Sequence, residues 1–224
     1  MISKYLFISI LILIGTTTTA ASWTEQNFLG MINDAKRLLP DNLQNLIESY
    51  SGEFYRECTP AYTLPDTGEQ GPVESILKDA DEAVLSFSTR RSFKSGTRLL
   101  GRIGAAIAHM HALLTDTTRL NDKNWPTDYA IFLQKNRQHL RIRWQGIEKR
   151  PKNSNELRSL LAKSAANQQK LSTLLEDNLN RENKSISEYD TLSMPFGAGS
   201  IAYSSAVGSM AMTWLYVWDQ AGGI

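Results

Sequence analysis

Cysteine is almost absent. Cys58 is the only one in 224 residues, so the chain has no intrachain disulfide and no paired-cysteine zinc or redox motif. Its expected place is as a small buried residue. Histidine is nearly as scarce, with His109, His111 and His139 the full set. Charge of one sign is also lacking, since 24 Lys and Arg face 23 Asp and Glu. Net charge therefore gives no signal for nucleic acid and none for a polycation. There is no Gly-x-Ser-x-Gly element, no phosphate loop, no repeat and no low-complexity linker. No alternating apolar stretch of useful strand length stands out.

What is present begins with a targeting segment. Lys4 supplies a positive n-region and Tyr5 to Ile14 an apolar h-region, followed by the small-residue run Thr16 to Ser22. The apolar run is too short for a membrane span with those flanks. Cleavage after Ser22 would leave Trp23 as the first residue, and cleavage after Ala20 or Ala21 also fits. The expected organisation is a signal peptide over 1–22 and one domain over 23–224, secreted or periplasmic. Removing the segment takes away one lysine and leaves acidic and basic side chains equal in number.

Apolar spacing at three and four residues predicts helices throughout. Thr24 caps a first helix to about Leu39, and Pro40 opens a second through Tyr50. A break follows at Ser51 and Gly52, then a loop from Thr59 to Pro72. A third helix runs from Pro72 to Phe87, with Asp79, Asp81 and Glu82 expected on its outer face. Arg90, Arg91, Lys94 and Arg98 read as a basic turn. The central stretch is Leu99 to Asp122, an apolar helix running into a polar loop. Beyond it lie a helix from Tyr129 through Ile147, ended by Pro151, and a long amphipathic helix marked by Leu157 to Leu179. From Thr191 to Trp218 there is no charged residue. That stretch reads as a central core helix or, by length, as a membrane anchor. The architecture is an all-α multi-helix bundle.

Any chemistry is expected around the central helix. His109 and His111 lie on it, and Asp116 follows at its end. A histidine on such a helix is either a metal ligand or a hydrogen-bonded core residue. Side chains four apart share a face, but His109 and Asp116 are seven apart, about 10 Å along a helix axis.

Several of these features together resemble the secreted zinc-dependent phospholipases C and zinc single-strand nucleases. They are a tryptophan at the expected cleavage site, LLPDNLQNLIESYSGEF leading to Pro65-Asp66, GAAIAHMHALLTD in the central helix, RIRWQ in a later one, and the C-terminal alanine- and tryptophan-rich segment ending in Ala-Gly. The resemblance implies a helical bundle of the zinc-dependent phospholipase C type, and a phosphodiesterase acting on phospholipid or a related phosphodiester, with possible contact to a membrane surface. It implies metal ligands at Trp23 (amino nitrogen and carbonyl), Asp66, His109, His111, Asp116 and His139, with Asp66 also catalytic. Zinc would lower the pKa of a bound water and polarise a phosphoryl oxygen.

The chain departs from that pattern. It has fewer histidines than a complete trinuclear site uses, and Arg141 and Gln145 stand where the later motif has ligands. A catalytic zinc takes about three protein ligands, so the candidates would hold one zinc, or two if all converge. Arg141 and Arg143 would bind a phosphate in place of a lost metal, or form a solvated face. The alternative function is a non-enzymatic secreted binding module of the same fold, a pseudoenzyme. A membrane-anchored structural protein is the third reading.

Overall fold

The computed structural model describes residues 23–59, 71–89 and 92–223. These form eight α-helices and no strand. The expected signal segment 1–22 and Asp66 lie outside the described residues.

The first helix, α1 (Glu25–Lys36), starts where the sequence places it, with the Thr24 hydroxyl accepting from the Asn27 amide. It stops three residues before Leu39. Next comes α2 (Asp41–Ser49), and Tyr50, at φ −121°, ends it. The expected break is a single-residue kink, because α3 (Ser51–Glu57) restarts at once. Seven residues are too few for a periodic signal, which is why α3 does not show in the sequence. The next two helices, α4 (Gly71–Ser88) and α5 (Phe93–Met110), pack along each other.

Two charge assignments change in this region. Lys94 and Arg98 are not in a turn. They sit in the first turns of α5, which Ser92 caps, and pair with Glu53 at 2.9 Å and Glu57 at 3.8 Å on α3. Asp79 is not on the outer face of α4. It is buried, and the Arg102 guanidinium of α5 donates to it, from Nε at 2.7 Å. Burial pushes the Asp79 carboxyl up, and Arg102 pulls it back.

The core is built around α5 and α8 (Met194–Gln220). On α5, a Cβ added at Gly101 would meet the Phe54 carbonyl oxygen at 2.1 Å. The backbones of α3 and α5 thus approach as only glycine permits. One turn on, Gly104 faces the Trp214 ring of α8, whose indole donates to the Leu100 carbonyl at 2.9 Å. Cys58 is buried beside Gly104, as expected of a small apolar residue. Helix α8, which carries no charge before Asp219 in its last turn, is buried along most of its length and touches α1, α4, α5 and α7. Among the described residues no helix is long and apolar enough to cross a membrane.

The helix expected from Tyr129 through Ile147 is shorter. It ends at Lys135 (α6, Trp125–Lys135), followed by a 3-10 turn at Arg137–His139. Residues 140–146 then run without helical structure. Leu140 and Trp144 pack on the core, while Arg141 and Arg143 face out. Ile142, between the two arginines, is exposed with them. The Arg141 and Arg143 amides donate to Ser200 and Ser204 on α8, at 3.5 and 2.9 Å. The longest helix, α7 (Ser154–Glu182), closes the bundle against α8 and α4.

Removing the Arg102 guanidinium leaves Asp79 buried without its donor. A fully buried pair loses about 3–5 kcal/mol when broken this way. Because Arg102 is partly open to water, the expected loss for Arg102→Met is roughly 2 kcal/mol. Urea denaturation at neutral pH reads it, and an unchanged midpoint would show that the pair contributes nothing.

Candidate functional site

The expected ligands fall into separate places. Trp23 is buried at the entrance to α1, and its indole donates to the Ala108 carbonyl of α5 at 3.1 Å. The next residue, His109, lies 6.2 Å, ring to ring, from Phe28 of α1. Trp23 and His109 therefore share a neighbourhood. His111 points elsewhere, into the seam between α5, α7 and α8. Its Nδ1 donates to the Ile107 carbonyl at 2.9 Å, so its Nε2 accepts from the Ser164 hydroxyl at 2.7 Å. Ser164 in turn accepts from Ser209 at 3.2 Å, and Gln168 donates to the His111 carbonyl at 2.7 Å. Both ring nitrogens are thereby used inside the bundle.

Asp116 is exposed and beyond the helix. The chain leaves α5 at His111 and turns at Leu114, with φ 57°. Asp116 caps a 3-10 turn at Thr117–Arg119, accepting from the Thr118 amide at 2.9 Å and hydroxyl at 2.6 Å. Those two bonds hold its carboxyl below the usual range. His139 is exposed at the end of its own 3-10 turn. Among the described residues no three His, Cys, Asp or Glu side chains come together to hold a metal ion. The described donors do not fit a zinc centre of the expected kind.

A different group of residues does converge. An open pocket of about 400 Å³ is lined by Asp34, Arg137, Gln138, Leu140 and Tyr203. Its floor is Tyr203 of α8, buried, whose hydroxyl donates to Asp34 Oδ2 at 2.7 Å. The other Asp34 oxygen pairs with Arg37 at 3.1 Å. Both carboxylate oxygens are thus occupied, which blunts the one negative charge in the pocket. Burial and the Asp34 carboxylate push the Tyr203 phenol up, while Arg137 opposes them. The phenol therefore stays a neutral donor.

Arg137 is held by an absence. A Cβ on Gly30 of α1 would lie 2.5 Å from Arg137 Cζ, so the guanidinium rests on bare helix backbone. Among the described residues, none of Arg137, Arg141 and Arg143 is in an ion pair. A planar guanidinium that rests on helix backbone beside the Tyr203 phenol and is in no such ion pair is suited to a phosphate or carboxylate. Arg141 and Arg143, the expected phosphate binders, lie past the pocket on the 140–146 run.

Arg137, Tyr203 and Asp34 are not apparent from spacing, because they come from three distant stretches of chain. One signal does stand in the sequence. From Lys135 to Lys152 the only acidic residue is Glu148, in a chain whose charges otherwise balance. Compared with protein-family models, curated proteins and solved structures, the chain matches none.

Burial holds the His111 imidazole neutral, lowering its pKa to about 4. A histidine with a depressed folded value stabilises the fold above its unfolded value near 6.5, and this stability is lost as pH falls toward 4. Unfolding free energy should drop by a few kcal/mol across that window, about 1.4 kcal/mol for each pH step of one. In His111→Gln the drop over the same window should be much smaller. Equal slopes in both proteins would assign the acid sensitivity to other groups.

Proposed function

We propose that this chain is an exported, non-enzymatic helical binding module that takes a phosphate-bearing small molecule in the pocket over Arg137. The observation that carries this reading is the Arg137 guanidinium, seated on Gly30 beside the Tyr203 hydroxyl and in no ion pair among the described residues. The guanidinium supplies paired N–H donors to an anion. The neutral phenol adds a polar edge at the floor, and Leu140 lines an apolar side.

Binding is read by calorimetry with phenyl phosphate as the probe. Gly30→Ala is the informative variant. It keeps every charge and should leave the helix as stable or up to about 1 kcal/mol more so, yet its methyl displaces the guanidinium. Affinity should fall about tenfold in Gly30→Ala and further in Arg137→Met. Undiminished binding in both would remove the pocket from the proposal.

A second reading, a divergent zinc-dependent phosphodiesterase on a bundle of the zinc phospholipase C type, has one contact in its favour. The Trp23 indole bonds to the carbonyl next to His109, so a chain cleaved after Ser22 would begin close to that histidine. The two readings separate on the processed protein. N-terminal sequencing should give Trp23, and elemental analysis at most one zinc per chain. More zinc than that, together with hydrolysis of a phosphodiester, would replace the binding module with the enzyme.

A further inference from the structure

The basic stretch that begins at Lys135 is laid along α8 as a strap from Arg141 to Lys152. The Arg141 amide meets Ser200, the Arg143 amide meets Ser204, the Arg150 side chain meets Asp219 at 3.3 Å, and the Lys152 carbonyl accepts from Gln220. Ser200 to Gln220 is about 30 Å of helix. Along this length the strap is fastened mostly through its backbone, so its cationic side chains are turned to solvent. Lys135, Arg137, Arg141, Arg143, Lys149 and Lys152 are all exposed. Of the strap's cations only Arg150 is in an ion pair among the described residues. Two aliphatic side chains are exposed in the same region. Ile142 lies between the two arginines and is 36% exposed, and Ile201, next to the Ser200 anchor, is 58% exposed.

We infer that this strap docks the protein on the surface of an anionic lipid bilayer. Exposed arginines and lysines in one strip are drawn to anionic headgroups, and neighbouring aliphatic side chains enter the headgroup boundary. The aliphatic neighbours also decide against single-stranded nucleic acid, which needs exposed rings for stacking. The strap's one aromatic residue, Trp144, is packed on the core. The inference goes beyond the pocket reading and does not depend on it, since it uses Arg141, Arg143, Ile142 and Ile201 rather than the Arg137 seat.

The test is co-sedimentation of the purified chain with vesicles of phosphatidylcholine alone and with a third phosphatidylglycerol, at low and at physiological salt. Expected is binding to the anionic vesicles only, weakening as salt rises. Arg141→Ala with Arg143→Ala should lower partitioning roughly tenfold or more, each cation near the surface being worth about fivefold. Arg141→Lys with Arg143→Lys should restore it, because a point charge suffices. Ile201→Ser should weaken binding at physiological salt while leaving thermal stability unchanged. Gly30→Ala should bind vesicles normally, which separates a failure of this inference from a failure of the pocket. Equal sedimentation with both vesicle types, full binding by the double alanine variant, or tighter binding to a fluorescent oligonucleotide than to anionic vesicles would each overturn the inference.

Discussion

The contact on which the bundle depends is the approach of the Phe54 carbonyl to Gly101, at a distance that excludes any Cβ. It brings the short helix α3 flush against α5 and lets the ring of Phe54 meet Trp214 edge-on, 5.6 Å between centroids. The second small position, Gly104, receives the other side of the same tryptophan. A ring that large, fully buried, must also satisfy its N–H, and it does so on the α5 backbone at Leu100. Trp23 repeats the device two turns along, at Ala108. The small residues of α5 therefore act as receivers for indoles from both ends of the chain, which fixes where α1 and α8 lie.

At the end of α5 the core turns polar. Helix termini leave carbonyls without partners, and here the seam with α7 and α8 supplies them: Gln168 donates to the His111 carbonyl, and the imidazole links Ile107 to Ser164 and Ser209. A neutral histidine suits this place because it donates and accepts at once. The same requirement removes it from metal chemistry, since the nitrogen with a free lone pair is already accepting a hydroxyl. Asp116 is occupied in a comparable way by its own turn. The helix that carries two of the three histidines thus does more to hold three helices together than to assemble a centre of reactivity.

Much of the fold is legible in the sequence. Six helices follow from apolar spacing, with Thr24 and Pro40 marking the first two starts, and the charge-free stretch is a buried helix. Lys94 and Arg98 read as a turn because what carries them into α5 is their pairing with α3, and α3 is too short to announce itself. The Leu140, Ile142, Trp144 run is ambiguous in a physical sense. Leu140, Trp144 and Ile147 also suit a helical face, and what tips the balance to extended backbone is the pair of serines on α8, which only the folded chain brings into reach. The pocket is illegible for the same reason. Tyr203 looks like one more aromatic in a core helix, and Asp34 and Arg137 become neighbours only when α6 turns back over α1.

That arrangement explains why the polar face of the molecule is built from a strap rather than from the helix beneath it. Along the stretch that touches α1, α4, α5 and α7 a core helix would bury any ionised side chain, and an unpaired buried charge is far costlier than a surface one. The one charge of α8, Asp219, sits in its last turn and is paired with Arg150. Serines at 200 and 204 are the compromise, small enough for close packing and able to bond an amide. An extended segment laid on them takes its anchorage from its backbone and from Leu140 and Trp144. The remaining side chains are then free of any structural duty. In this chain nearly all of those ionised side chains are cationic, so the strap concentrates on one face a charge that the composition as a whole conceals.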